Sequence, residues 1–228
     1  RTPARLPSRS GGAGIMGPVE QENLFGDRLF NCLERNDPAA GMLLVAAPGM
    51  ASPEFARSVV FIIEHDAHGT LGVDLTTRSQ TAVHTVLEPW AEVMSPPEVV
   101  YVGGPVNPTQ PVCVGVFKTG IDVPETTDPV SGAPHLQRLA HRFAMVNLGV
   151  EPGDVSGYLD GARLFAGYAG WGAGQLHDEI ERGDWYVAPA LPSDVLSPAR
   201  TDVWGDVMRR QPWPLPLYST YPVDVRDN

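Results

Sequence analysis

The residues best suited to metal or acid–base chemistry lie between Glu64 and His68, in the order Glu-His-Asp-Ala-His. Carboxylates and imidazoles both bind divalent metals. In the helical HExxH motif the two histidines are four residues apart and share one face, whereas His65 and His68 are three residues apart. In a strand, His65 would point away from Glu64 and Asp66, because successive side chains alternate. We therefore interpret this segment as the end of a β-hairpin and predict no metal site.

A glycine-rich segment with two aromatic residues runs from Gly167 to Gln175, in the sequence GYAGWGAGQ. It follows a predicted strand at 163–168 and opens a predicted helix at 175–182. Glycines let backbone amides approach a ligand, and a helix N-terminus attracts an anion. The segment lacks both the spacing of the dinucleotide fingerprint and the Lys-Ser/Thr pair that grips phosphate, and the helix adds three acidic residues. We therefore favour tight turns, with the aromatic side chains in the core, over an anion site.

Two glycines, Gly103 and Gly104, separate the predicted strands 99–102 and 112–118. A diglycine between strands forms a turn or bulge, but it can also let the backbone line a pocket. The sequence leaves both readings open. If the chain has a ligand site, we expect a cleft that combines these glycines with the two segments above. The candidate binding residues of that cleft are Glu64, His65, Gly103, Gly104, Trp171, Gly172 and Gln175.

The serines and histidines show no nucleophile-and-base arrangement. The serine of GDVSG at 153–157 lies one position late for a nucleophile elbow, inside a predicted short helix at 152–159. His84 and Glu88 stand one turn apart on a predicted helix at 81–94, a spacing that we interpret as an exposed ion pair. We therefore predict neither a catalytic constellation nor a cofactor.

The overall composition, with 43% hydrophobic and 19% charged residues among 228, is that of an ordinary globular protein. A net charge of −11 disfavours direct nucleic-acid binding, which needs clustered Lys and Arg. The two cysteines, Cys32 and Cys113, are far apart, which indicates reduced thiols in a cytoplasmic protein. No apolar run approaches the roughly 20 residues of a membrane span. We therefore expect an acidic cytoplasmic protein with no membrane partner.

Hydrophobic periodicity divides the chain into three parts. Residues 1–20, rich in Gly, Pro, Arg and Ser, are predicted to be a flexible tail, and residues 21–40 a short amphipathic helix with a linker. Residues 41–228 are predicted to be one α+β domain, because strands dominate the first half and helices follow no strict β-α-β alternation. The predicted strands are 42–46, 58–64, 70–75, 99–102, 112–118, 143–148, 163–168 and 185–187.

Several segments give the chain a resemblance to the YqgE/AlgH family of bacterial proteins. They are GMLLVAAPGM at 41–50, FARSVVFIIEHDAHGTLG at 55–72, YVGGPV at 101–106, FAGYAGWGAGQLHDEI at 165–180 and DWYVAPA at 184–190. The resemblance implies a single α+β domain in which helices surround a strongly curved, barrel-like mixed sheet, and a cytosolic location. The Arg-rich, Lys-poor composition suggests an actinobacterial member. One departure is Thr76-Thr77-Arg78, where the family usually carries Asn-Arg-Pro.

The resemblance brings no catalytic residue to this chain, and the family's second name comes from a proposed role in transcriptional control of exopolysaccharide synthesis. We predict a non-enzymatic regulatory or binding protein that acts through an unknown protein partner or small ligand. The alternative is an enzyme, or a small-molecule or anion-binding protein, that uses the cleft near Glu64, His65, Gly103, Gly104 and Trp171. Convergence of these side chains on one concavity would favour the alternative.

Overall fold

The computed structural model describes residues 36–50 and 52–220, and its strands form one 10-stranded sheet. The predicted tail, and the part of the predicted N-terminal helix before residue 36, lie outside the described residues. The strands are β1 (Met42–Ala46), β2 (Val59–Asp66), β3 (Gly69–Asp74), β4 (Arg78–Ala82), β5 (Val99–Val102), β6 (Val106–Phe117), β7 (Leu136–Ala140), β8 (Phe143–Val146), β9 (Leu159–Gly172) and β10 (Trp185–Pro189).

The helices are short and lie between the strands or after the last one. They are α1 (Val83–Val86), α2 (Gly153–Ser156), α3 (Gln175–Arg182), α4 (Pro192–Val195) and α5 (Val203–Arg209), with 3-10 turns at Pro53–Phe55, Glu88–Val93 and Leu215–Thr220. Helix α3 ends at Gly183, whose φ of 87° is the left-handed conformation that glycine adopts without strain. The predicted helix at 175–182 is therefore confirmed at both ends.

The sheet is mixed and curled. Its main path runs β10-β1-β2-β3-β9-β6-β8-β7, and β4 pairs with β5, which in turn pairs with β9. The β5–β9 pair is parallel and the other strand pairs among the described residues are antiparallel. The curved mixed sheet with helices around it in one α+β domain confirms the predicted fold.

Strand β9 is 14 residues long and serves as the spine of the sheet. Along one edge it pairs with β6, and along the other it pairs first with β5 and then with β3. The junction between these neighbours is Gly103, whose N–H donates to Ala166 O and whose carbonyl accepts from Asp74 N, each at 2.9 Å. A Cβ at Gly103 would lie 2.2 Å from Gly167 O. Only a glycine lets the two backbones approach this closely.

Both faces of the sheet are covered, as the alternation along β1 shows. Leu43 belongs to a cluster that includes Trp204 and Met208 of α5, whereas Leu44 belongs to a cluster with Leu176 of α3. The Trp204 indole N–H donates to Ala46 O at 2.8 Å, so this buried polar group is satisfied. Two helices on opposite faces thus hold the same strand in the core.

A third cluster packs around Trp90 and Cys113. Burial raises the pKa of the Cys113 thiol to about 12, so this cysteine is protonated at neutral pH and is a packing residue. The other cysteine of the chain, Cys32, lies outside the described residues.

The predicted continuous helix at 81–94 is wrong. Helix α1 ends after one turn because Leu87 has an extended φ of −151° and a ψ of 63°. Pro89 follows within the first turn of the 3-10 segment, and its missing N–H and ring prevent a continuous α-helix through this region. Val86 is 58% exposed, and His84 and Glu88 belong to different segments.

Two further boundaries differ from the prediction. Strand β9 continues through Gly172 instead of ending at residue 168, because its last residues pair with β3 from Gly69 to Gly72. The glycine–aromatic segment therefore lies largely within a strand. Strands β4 and β7 were not predicted, since RSQTA and LQRLA have too few β-branched and aromatic residues to signal a strand.

The close approach at Gly103 gives a direct stability test. We expect Gly103→Ala to lower the free energy of unfolding by about 1–3 kcal/mol, because the new methyl overpacks against the β9 backbone. Urea unfolding followed by circular dichroism measures this change. Gly157→Ala is the matched control, since a Cβ there meets nothing within 4 Å. Equal stability of the two variants would contradict the proposed constraint.

Candidate functional site

Of the seven sequence-predicted cleft residues, three (Glu64, Trp171 and Gln175) line two depressions near the C-terminal end of β9. The aromatic depression, of about 310 Å³, is bordered by Phe55, Trp171, Gln175 and Glu179. The hairpin depression, of about 410 Å³, is bordered by Glu64, Asp66, His68, Tyr168 and Trp171. Trp171 lines both, Gln175 lines only the first, and Glu64 lines only the second.

Gly103 and Gly104 line neither depression. A Cβ at Gly104 would lie 2.3 Å from the carbonyl carbon of Tyr168, so this glycine, like Gly103, allows direct backbone contact with β9. The structure therefore assigns the diglycine a packing role between β5 and β6. Sequence alone left this open because the partner backbone is more than 60 residues away along the chain.

His65 is an exposed side chain at the hairpin end, and its Nδ1 is hydrogen-bonded to Thr70 Oγ1 at 2.7 Å. Asp66 accepts hydrogen bonds from the N–H groups of His68 and Gly69 at 2.7 and 3.1 Å. The backbone hydrogen bond from His68 lowers the pKa of the Asp66 carboxyl. Within the described ranges, no group of three or more His, Cys, Asp or Glu side chains is placed to hold a metal ion. The predicted hairpin is confirmed.

The aromatic depression is organised by the carboxylate of Glu179 on α3. Its Oε2 accepts from the indole N–H groups of Trp171 and Trp185, at 2.8 and 2.9 Å. Its Oε1 accepts from the Gln175 amide at 3.0 Å. The two indole rings meet edge to face with centroids 5.8 Å apart. A single carboxylate therefore joins α3 to the ends of β9 and β10 and satisfies two nearly buried indoles.

The start of α3 is already occupied by a side chain. Gln175 Oε1 accepts from Gly172 N at 3.1 Å, which satisfies one of the amides that an anion would need. The acidic groups Glu179 and Asp184 line the same depression. Both features disfavour an anion at this helix end and agree with the architectural interpretation of the glycines.

The departure from the family tripeptide, Thr76-Thr77-Arg78, starts beside a buried carboxyl. Asp74, which is 4% exposed, accepts from the Thr76 N–H and hydroxyl at 2.7 and 2.6 Å and from the Ser58 hydroxyl at 2.7 Å. Burial raises the pKa of the Asp74 carboxyl above its ordinary value of 3.8, although these hydrogen bonds oppose the shift. Thr76 thus has a structural role in satisfying the end of β3.

A third cavity, which sequence reasoning missed, is the largest of those described here. This apolar groove, of about 590 Å³, has side chains of β5 and β9 as its floor, including Val100, Val102, Leu164 and Ala166. These residues share a face because each pair is two apart along its strand. The apolar residues Val86 and Val102 of this groove are 58% and 40% exposed, which the predicted continuous helix at 81–94 and the predicted strand at 99–102 did not reveal.

The walls of the groove come from two irregularities of the chain. Val86 and Leu87 form one wall where α1 ends. Thr109 and Pro111 form the other, where the β6–β9 register shifts between Val106 and Pro111. Three hydroxyl residues, Ser79, Thr81 and Thr109, are the polar part of the lining. No Asp, Glu, His, Lys or Arg is among these described lining residues.

Tyr101, whose neighbours Val100 and Val102 form part of the groove floor, is held from the opposite face of β5 by a buried arginine. Arg163, which is 2% exposed, donates to the Tyr101 hydroxyl at 2.7 Å and to the carbonyls of Val195 and Ser197 at 2.8 and 2.9 Å. Burial lowers the pKa of the Arg163 guanidinium. These uncharged oxygen acceptors provide the hydrogen bonds that a buried guanidinium charge needs in place of water. The arginine fixes the floor from the side opposite to the solvent.

Comparison with known proteins identifies close sequence relatives. The chain matches the profile of a family described as DUF179, AlgH-like, over residues 43–216. A UPF0301 protein of Corynebacterium efficiens is 55% identical over 206 residues, which cover 90% of this chain and 99% of the relative. A UPF0301 protein of Mycobacterium tuberculosis is 46% identical over 189 residues, with coverages of 83% and 90%. The matches confirm the resemblance read from the sequence and its actinobacterial character.

Two solved structures share this fold. A crystal structure of a Corynebacterium diphtheriae protein has a TM-score of 0.79 at 55% identity and covers 86% of this chain and 100% of that one. The solution structure of the AlgH protein from Pseudomonas aeruginosa has a TM-score of 0.57 at 24% identity, with coverages of 83% and 98%. The second likeness concerns the fold alone. No helix among residues 36–50 and 52–220 is long and apolar enough to span a membrane.

Removal of the Glu179 carboxylate tests its role in joining α3 to the sheet. We expect Glu179→Ala to lower the free energy of unfolding by about 2 kcal/mol or more, because two nearly buried indole N–H groups lose their acceptor. Urea unfolding followed by tryptophan fluorescence measures the loss. Glu181→Ala is the control on the same helix, because its side chain is 62% exposed. A loss of the same size in both variants would refute the specific role.

Titration of Asp74 predicts a pH-dependent stability difference. A raised pKa means that the folded chain binds this proton more tightly, so the stability contributed by Asp74 is full below pH about 4 and is lost as pH rises through the folded pKa. Asp74→Asn does not titrate and keeps an oxygen that can accept from Thr76. We expect the free energy of unfolding of wild type minus that of the variant to fall as pH rises above about 4. Urea titrations across this range measure the difference, and a constant value would contradict the shift.

Proposed function

We propose that this chain, which belongs to the AlgH-like family DUF179, is a non-enzymatic binding protein that takes a small, neutral, apolar molecule in its apolar groove. The observation that carries the proposal is the lining of that groove. Its volume of about 590 Å³ lies within the range of roughly 300–1,000 Å³ of small-molecule sites. Such sites combine an apolar surface with a few placed polar groups.

The chemistry of the lining supports binding over catalysis. The described lining contains no carboxylate, imidazole, thiol, ammonium or guanidinium group, and these groups perform most general acid–base and nucleophilic steps in proteins. The hydroxyls of Ser79, Thr81 and Thr109 can form hydrogen bonds with a ligand. They carry no charge, which favours a neutral ligand because burying an unpaired ionic group costs free energy.

A rigid floor supports selective binding. Val100 and Leu164 are 8% and 3% exposed, and their neighbour Tyr101 is 2% exposed. Because Arg163 fixes Tyr101, the floor is preorganised and loses little conformational freedom when a ligand arrives. The exposed apolar residues Val86 and Val102 lie in the walls and floor and would gain most from being covered.

Regulation in the cytoplasm is the role we propose for this binding. A ligand that fills the groove would contact α1, β5 and β6 together, and could thereby change the surface that these segments present to a protein partner. The net charge of −11 favours action through a protein over direct contact with nucleic acid.

Nile red, a neutral dye whose fluorescence rises in apolar surroundings, is a suitable probe of the groove. We expect saturable binding to the wild-type protein and at least tenfold weaker binding to Val102→Asp, because a carboxylate in an apolar site would have to be desolvated. Fluorescence titration gives both dissociation constants. Val102 is 40% exposed, so the variant is expected to fold, and its melting temperature checks this.

Val130→Asp is the matched control for the dye experiment. Val130 is 93% exposed and lies outside the groove lining. Its substitution by aspartate introduces the same charge as Val102→Asp. The dye affinity of this variant should equal that of wild type. Equal weakening by the two substitutions, or no saturable binding to wild type, would reject the groove as the binding site.

A further inference from the structure

The Glu179 carboxylate has no cationic partner among the described residues. Its hydrogen-bond donors are Trp171, Trp185 and Gln175, all neutral, and it takes part in none of the salt bridges of the described chain. The basic side chain of the aromatic depression, Arg182, is paired with Asp184 at 2.7 Å. Two carboxylates thus face one guanidinium in this lining, which leaves one formal negative charge uncompensated.

The carboxylate also keeps capacity for one more donor. An ionised carboxylate offers about four lone-pair positions, and the two indoles and the amide of Gln175 use three of them. Glu179 is half-buried and borders the depression. A ligand N–H that enters the depression can therefore reach an acceptor whose orientation is fixed by its other partners.

Aromatic and thioether side chains form the apolar part of the same depression. Phe55 is half-buried, and its ring centroid lies 5.5 Å from that of Trp185 and 6.4 Å from that of Trp171. Met50, also half-buried, completes this side. Aromatic rings attract cations electrostatically, and sulfur adapts its contacts to irregular apolar groups.

From this combination we propose that the aromatic depression binds a small alkylammonium ion. The ammonium group donates to Glu179 and faces the ring of Phe55, and its short alkyl substituent lies against Met50. A volume of about 310 Å³ lies at the small end of ligand sites, which suits a short amine better than a peptide or a nucleotide. The site is separate from the apolar groove and differs from it in charge. The proposed ligand is a cation, whereas a glycine-rich segment before a helix suggests a site for an anion.

n-Butylammonium chloride is the probe for this site, with n-butanol as its neutral counterpart. We expect saturable binding of the amine by calorimetry and no saturable binding of the alcohol, because the carboxylate provides the main attraction. Glu179→Gln keeps a carbonyl oxygen for the indoles and removes the charge, and we expect it to weaken amine binding at least tenfold. Glu181→Gln removes the same charge from an exposed position of α3 and should leave the affinity unchanged.

Phe55→Leu separates the aromatic contribution from the charge. Leucine keeps an apolar wall but removes the ring, so we expect a loss of roughly two- to fivefold in amine affinity. The stability of this variant is checked by its melting temperature. An unchanged affinity would remove Phe55 from the proposed site.

The wild-type protein provides a readout that needs no variant. The chain has five tryptophans, and the ¹H–¹⁵N indole resonances of Trp171 and Trp185 should shift on titration with n-butylammonium. Trp90, Trp204 and Trp213 lie outside the depression lining, so their indole resonances act as internal references. Uniform shifts of all five indoles, the absence of saturation, or equal loss of affinity in Glu179→Gln and Glu181→Gln would overturn the proposal.

Discussion

The close approach of the β5–β6 connection to β9 is the constraint on which the rest of the structure depends. Gly103 donates to β9 and accepts from the end of β3, so one residue joins three strands. Gly167, with a φ of 72°, lies opposite it and has no Cβ to obstruct the contact. Without this junction, β9 could not pair with β5 and β3 in succession along one edge.

The two proposed sites lie along β9 and differ in electrostatic character. The groove beside residues 164–166 has no ionic side chain in its described lining, whereas the depression beside Trp171 contains an uncompensated carboxylate. Because the same strand supports both, their floors are rigid parts of the sheet, and their walls come from short helical segments and a register shift. A rigid floor with irregular walls is the usual way in which a β-scaffold acquires binding specificity.

Two charged side chains, one near the surface and one in the interior, are hydrogen-bonded to neutral partners. Glu179 accepts from neutral indole and amide donors near the surface, whereas Arg163 in the interior donates to carbonyls and to a tyrosine hydroxyl. In both cases the charge lies among neutral partners and not in an ion pair. The arginine, at 2% exposure, has its donors turned to protein atoms, which fits a structural role. The carboxylate borders a cavity, which leaves it available to a ligand.

The sequence by itself determined the α+β class, the family, the β2–β3 hairpin and the bounds of α3, because each of these depends on short-range patterns. Glycine at the end of a helix and β-branched runs beside a turn act within a few residues. Only the tertiary structure decided that Gly103 and Gly104 pack against β9, that Glu179 joins two indoles, and that the break at Leu87 opens an apolar groove. These features join residues distant in sequence, and neither their spacing nor their composition encodes the partner that each will meet. Of the side chains that the two proposed sites use, the sequence analysis therefore named Trp171 and Gln175 but not Glu179 or Val102.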